Sequence, residues 1–165
     1  MSKRIACKSP TGEEYSVDLN SLKWRPSVYA IIIENSSVLL VPQFEGRYGL
    51  PGGGINLGEK IEDAVIREVK EETGLNVENP KLVGCENSFF KMHNSDAYHT
   101  ILLYYSCNIL DGHLSIDGFD SDEKKFAKLA KWISIDDLEN IMLASTVDFR
   151  KYIVKTLRDN EDFRD

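Results

Sequence analysis

An α+β fold, built as a mixed β-sheet with helices packed on its faces, is what this sequence predicts, on three observations. Runs rich in Val, Ile and Leu recur along the chain, separated by turn signals. A helical pattern interrupts them between residues 59 and 73, and a second one lies near the end. The order of strands, central helix, strands and late helix suits a sheet covered on its faces.

The elements follow in chain order. Residues 3–8 and 14–19 flank the turn signal Ser9-Pro10-Thr11-Gly12 and predict a short hairpin. Arg25-Pro26 marks a break. Residues 27–34 and 37–42 then read as two strands joined by a tight turn at Asn35-Ser36. Residues 44–58 hold six of the eleven glycines and one proline, which predicts an irregular loop whose backbone can approach a ligand closely. Residues 59–73 place Val65, Ile66, Val69 and Thr73 on one side of a helix, and Gly74 supplies its stop. Residues 81–90 and 98–109 read as strands around a polar loop with His93, Asn94 and Asp96. An acidic loop over 111–123, a strand over 128–133, a short helix over 136–140 and a helix over 146–158 complete the list. The final residues, NEDFRD, are expected to fray.

The 165 residues fit one domain and can bury a core without staples. Hydrophobic residues at 42% and charged residues at 28% are ordinary for a globular protein. A formal net charge of −7 argues against a general binder of nucleic acid or acidic membranes. It leaves room for a nucleotide, because carboxylates hold phosphates through divalent cations. Cys7, Cys85 and Cys107 are odd in number and form no CxxC, so neither a disulfide framework nor a zinc site is expected. The N-terminus lacks a signal-peptide core and no stretch approaches transmembrane length, so a cytoplasmic protein is expected.

Chemistry concentrates between Gly53 and Leu75, GGINLGEKIEDAVIREVKEETGL. At about 100° per residue, Glu68, Glu71 and Glu72 fall within an arc of roughly 100° on one helix. The stripe of Val65, Ile66 and Val69 lies beside that arc. Like charges at helical spacing cost an isolated helix about 0.2–0.5 kcal/mol per pair. Glu71 and Glu72 also sit near the helix C-terminus, where the dipole disfavours anions. Hard divalent cations relieve both costs, and Mg²⁺ characteristically takes one or two carboxylates plus substrate phosphates. A solvated acidic face is the plainer reading of such a cluster. The glycine loop, the spacing and the helix stop that accompany it favour the site.

The segment resembles the Nudix box, G-x5-E-x7-R-E-U-x-E-E-x-G-U with U aliphatic, at every fixed position. The flanks Arg25-Pro-Ser-Val-Tyr, Gly49-Leu-Pro-Gly-Gly and Lys131-Trp-Ile-Ser-Ile-Asp-Asp-Leu are similar to the family as well, so the likeness runs from about Trp24 to Leu143. It implies a Nudix fold, an α/β/α sandwich with a mixed sheet and a catalytic loop–helix motif. One domain over 1–165 is expected, with a hairpin extension at 1–23, a core at 24–143 and a helix with a frayed end at 144–165. The resemblance further implies that Glu68, Glu71 and Glu72 bind Mg²⁺, with Mn²⁺ as a substitute, and that the Gly52 carbonyl adds a ligand. Glu68 is the candidate to activate water, although which carboxylate acts as base differs between family members. Arg67 would orient the carboxylates, with Glu59 linked to it or to the metal. A glutamate from the acidic loop often joins such sites. Glu123 is the candidate, with Asp120 and Asp122 as competitors.

The reaction implied is hydrolysis of a nucleoside diphosphate linked to another group, with a nucleoside triphosphate as the default substrate. The rival reading is a Nudix-fold nucleotide sensor, which would be expected to have lost one of the three glutamates. For substrate contacts, Arg47 is a candidate phosphate holder, and Phe44, Tyr48, Phe90 or Tyr98 a stacking residue. His93 or His99 borders a loop that can touch substrate, whereas Phe89, Phe90, Tyr98, Tyr104 and Tyr105 alternate on strands and read first as core or sheet-face residues. The N-terminal hairpin offers an edge for a homodimer or a cover for the sheet. A P-loop is excluded because Gly58-Glu59-Lys60 stands where G-K-[ST] is needed. An EF-hand around Gly118 is excluded by His113 and Lys124 at its first and last positions.

Overall fold

In the computed structural model, residues 3–119, 121–125 and 127–162 are described, without the side chains of Glu123, Glu161 and Asp162. The predicted hairpin forms from β1 (Arg4–Lys8) and β2 (Glu14–Asp18). Its Lys8 also pairs in parallel with Phe90, which joins it to the main sheet. After β3 (Leu22–Trp24), the strand expected over 27–34 is divided into β4 (Ser27–Ile31) and β5 (Ile33–Glu34). The division has a cause. β4 pairs in the larger sheet, while β5 turns through Asn35 and Ser36 to pair with β6 (Ser37–Pro42) in the smaller one. Both turn residues have positive φ, 47° and 57°, as a tight hairpin requires.

The glycine loop is more ordered than its composition suggests. It contains β7 (Tyr48–Gly49), paired to β6, and β8 (Gly52–Gly54), paired to β4. Helix α1 (Ile61–Thr73) ends at Gly74, whose φ of 80° provides the left-handed stop the sequence signalled. Two long strands follow, β9 (Leu75–Lys91) and β10 (Ala97–Gly112). Both exceed the expected lengths. Asn79, with φ of 52°, and Pro80, which lacks an N–H, sit where the register shifts between Ser106 and Asn108. Pairing resumes beyond that bulge down to Leu75. β11 (Lys131–Ser134) pairs with β6, starting later than predicted. The predicted helix at 136–140 is a short 3-10 segment, Ile135–Asn140. Helix α2 (Arg150–Asp162) begins later than expected because Ser145 and Asp148 side chains accept from the N–H groups of Val147 and Arg150. It continues through Asn160–Asp162, where fraying was expected, and residues 163–165 lie outside the described part.

The main sheet runs β2-β1-β9-β10-β4-β8, with β3 also on β10. Period-two alternation in β4 and β6 divides the core between two faces. Val28, Ala30, Leu39 and Val41 pack with Ala64, Val65 and Val69 of α1. Ile31, Val38 and Leu40 pack with Phe149 and with Ile153 of α2. The result is an α/β/α sandwich with a mixed sheet. No helix among the described residues is long and apolar enough to cross a membrane.

Candidate active site

Helix α1 is anchored by Ala64, Val65, Val69 and Thr73, all buried. That burial turns Glu68 inward against β8. A Cβ on Gly53 would lie 2.6 Å from a Glu68 carboxylate oxygen, so only glycine leaves room for it. The Glu68 side chain retains 13% exposure. Burial raises its carboxyl pKa above the ordinary value, opposed by Arg67.

Arg67 organises the cluster. Its Nε and Nη2 donate to the two oxygens of Glu59 at 2.7 and 2.9 Å, a bidentate fork. Its Nη1 donates to Glu68 at 2.9 Å and to Glu71 at 3.1 Å. Nη2 also reaches the Gly54 carbonyl at 3.1 Å, tying α1 to β8. Arg67 and the N–H of Asn56 hold the Glu59 carboxyl down to about 2. Glu72 accepts from the Gly52 N–H at 2.9 Å, so the backbone of Gly52 stands beside that carboxylate. Glu68 and Glu72 therefore border β8, one against Gly53 and the other on the Gly52 amide, and one guanidinium nitrogen draws Glu71 toward Glu68.

These oxygen donors suit a hard divalent cation in kind and number. As they stand, no three His, Cys, Asp or Glu groups among the described residues surround a single point. Arg67 and Gly52 instead occupy the carboxylate oxygens with N–H donors. The acidic loop passes the end of α1 closely, since a Cβ on Gly118 would come within 2.4 Å of the Glu71 carbonyl oxygen. On that loop Asp122 pairs with Lys125 at 2.6 Å, and Asp120 and the Glu123 side chain lie outside the described residues.

A cavity of about 410 Å³, within the usual range of small-molecule sites, opens on the face of β4 that carries Tyr29, and none of the clustered carboxylates is among its lining residues. Phe44, Phe90 and Tyr98, three of the expected stacking candidates, line it. Two residues that the sequence reading did not single out for the site stand between it and the carboxylates. Arg25 lines the cavity, and its guanidinium would meet a Cβ on Gly54 at 3.2 Å. Its charge also lowers the Glu68 carboxyl pKa. Tyr29, paired with Gly52 across β4 and β8, lines the cavity too, and its phenol feels Arg25, Glu72 and Glu68. The available signals were the place of Arg25 at the Pro26 break and of Tyr29 on the strand that pairs with the glycines.

The other candidates lie elsewhere. Arg47 donates to the Leu143 carbonyl at 3.2 Å and is not a cavity residue. Its neighbour Tyr48 is held by backbone bonds to Met142 and Ala144 and packs in the α2-side core. His93 is exposed outside the cavity. His99 binds Asn87 at 2.6 Å and stacks on Phe89.

The profile of the NUDIX domain matches residues 23–157. An ADP-ribose pyrophosphatase of Methanocaldococcus jannaschii is 34% identical over 107 residues, covering 62% of this chain and 61% of that relative. Further curated relatives are spanned over 29% and 66% of their lengths, so the chain matches less than two thirds of these proteins. Among solved structures, the NUDIX domain of Shewanella oneidensis NrtR, complexed with ADP ribose, superposes with a TM-score of 0.64 at 20% identity, covering 87% of this chain and 94% of that one. An ADP-ribose pyrophosphatase from Streptococcus suis gives a TM-score of 0.62 at 23% identity, over 82% and 91% of the two chains.

Proposed function

The chain belongs to the Nudix family, and from that premise we propose that it is a Mg²⁺-dependent pyrophosphohydrolase cleaving a nucleoside diphosphate joined to another group. The observation that carries the reading is the gathering of Glu68 and Glu71 by Arg67, with Glu72 on the Gly52 amide, next to Arg25 and Tyr29 of an aromatic-walled cavity.

Glu68, Glu71 and Glu72 would hold the divalent cations, with Mn²⁺ as a substitute for Mg²⁺, and the Gly52 carbonyl beside Glu72 is the backbone candidate. Bound there, such ions screen phosphate charge and acidify water. The remaining roles belong to the chain itself. Glu68, whose proton affinity burial raises, is the candidate to accept the proton of the attacking water. Arg67, locked by Glu59, keeps Glu68 and Glu71 aligned. Glu123 remains the acidic-loop candidate. Arg25, between carboxylates and cavity, is placed to bind a phosphate. The cavity would take the nucleoside, whose flat ring suits Phe44, Phe90 and Tyr98.

ADP-ribose is the first substrate to test, because a relative at 34% identity carries that activity in its name. Nucleoside triphosphates are the comparison. Release of phosphorylated products from a panel of both classes should require Mg²⁺ and stop with EDTA. Tight nucleotide binding with no turnover across the panel would instead make the protein a nucleotide sensor.

A further inference from the structure

The cavity contains two features that neither the Nudix box nor its chemistry requires. Thr100 on β10 lines it and is only 6% exposed, yet its hydroxyl has no hydrogen-bond partner among the described residues. Its cross-strand neighbour Ser88 is satisfied, sharing a 2.7 Å bond with Thr146, which also lines the cavity. Buried hydroxyls are ordinarily paired, because leaving one unmade forfeits its bonds to water. An unpaired hydroxyl on a cavity wall is what a site looks like when a ligand supplies the partner.

The second feature is Pro10. It belongs to the turn between β1 and β2, outside the residues 23–157 that match the NUDIX domain, and it still forms part of the cavity wall. The turn is held rigidly. Ser9 is buried, its hydroxyl bonds Thr11 at 2.7 Å, and its backbone N–H donates to the Glu13 carbonyl at 2.9 Å. Lys8, two residues before Pro10, pairs with Phe90, and Phe90 is itself a cavity residue. The hairpin is thus fixed to the strand that carries the stacking surface.

Building on the nucleoside reading above, we infer that Thr100 and Pro10 determine which base the cavity accepts. Thr100 reads a polar edge of the ring, and Pro10 limits the ring's size and tilt. A hydroxyl both donates and accepts, so it pairs with an amino, imino or carbonyl group on a base edge.

The test measures kcat and KM for the ADP-, GDP-, UDP- and CDP-linked forms of one sugar, in the full chain and in Thr100→Val, Thr100→Ser and Pro10→Gly. Thr100→Val keeps the shape and removes the hydroxyl. It should raise KM for the preferred base on the order of 10-fold, leave kcat near its original value and flatten the ranking. Thr100→Ser, which keeps the hydroxyl, should preserve the ranking. Pro10→Gly should narrow the gap between best and second-best base severalfold. An unchanged ranking in Thr100→Val and Pro10→Gly, or the same loss in Thr100→Ser as in Thr100→Val, overturns the inference.

A second measurement separates it from the hydrolase reading. Equilibrium binding of AMP, GMP, UMP and CMP is measured in the presence of EDTA. Base-ranked binding that Thr100→Val flattens upholds the inference even if no substrate is turned over. Turnover with a ranking indifferent to both residues sinks the inference and leaves the hydrolase reading intact.

Discussion

Helices α1 and α2 are each 13 residues long and cover opposite faces of the same strands, but their polar sides are organised differently. On α2 the ionic contacts are dispersed and wet. Arg150 pairs with Asp148 just before the helix, and Lys151 pairs with Glu86 on β9. On α1 the charges are gathered: one guanidinium serves Glu59, Glu68 and Glu71, and Glu68 is turned inward against glycine. Both helices are anchored by a buried apolar stripe, so anchoring does not require crowded carboxylates. The crowding on α1 opposes stability through repulsion and the helix dipole. Under the proposed function the crowding serves metal binding, and the contrast separates a helix that supports from one proposed to act.

The sharpest way to break this contrast is to remove the inward carboxylate. Glu68→Gln should lower kcat by on the order of 10²-fold or more, in line with loss of a general base. Its thermal midpoint should stay the same or rise, because a half-repelled, desolvated charge has gone. Near-normal turnover would remove Glu68 from the base assignment and return the role to Glu71 or Glu72.

The opposite outcome is expected on the supporting helix. Ile153 is fully buried among Ile31, Val38 and Leu40. Ile153→Ala should cost about 2–5 kcal/mol in urea denaturation, through lost transfer energy and a residual cavity. Activity per folded molecule should remain unchanged. A selective loss of kcat at full folding would mean that α2 also tunes the site.

The two regions also differ in how far the sequence discloses them. The α1 cluster is local: Glu59, Arg67, Glu68, Glu71 and Glu72 lie within fourteen positions, and helical periodicity alone puts the carboxylates on one arc. The short β7 and β8 strands were hidden because glycine-rich stretches carry no alternating pattern, and only pairing with β4 and β6 makes them strands. The cavity is worse disguised. Pro10, Arg25, Phe44, Phe90 and Thr100 come from distant segments, joined by the parallel pairing of β4 with β10 and of Lys8 with Phe90. No spacing rule encodes that meeting. Arg47 is the opposite case. Its position beside the glycines suggests a phosphate, but the backbone bonds of Tyr48 to Met142 and Ala144 carry it toward Leu143.

A gentler probe of the gathered charges uses pH. The Glu59 carboxyl is held down to about 2, from an ordinary 4.5, chiefly by Arg67. A folded value below the unfolded one means that the group stabilises the fold above pH 4.5 and that this contribution fades as the pH falls toward 2. Glu59→Gln should therefore flatten that part of the stability–pH curve, measured by thermal melts across the same range. An unchanged acid leg would show that the Arg67 fork contributes nothing to folding.

The smallest effect belongs to the dispersed charges. Lys151 is 56% exposed and its partner Glu86 27% exposed. Exposed pairs of this kind gain little Coulomb energy in water and must immobilise a long side chain, so they typically contribute about 0–1 kcal/mol. Lys151→Ala should lower the unfolding free energy from urea denaturation by no more than that, and the loss should shrink further in added salt because the pair is screened. Glu86 also accepts from the Tyr152 hydroxyl at 2.8 Å, so the carboxylate stays partnered when the lysine is removed. When Arg67 is removed Glu59 keeps the Asn56 N–H at 2.9 Å, but the same guanidinium also serves Glu68 and Glu71. Arg67→Ala should therefore cost activity and stability above pH 4.5 together, whereas Lys151→Ala should leave both nearly untouched. Equal losses in the two variants would erase the distinction between gathered and dispersed charge on which the assignment of α1 depends.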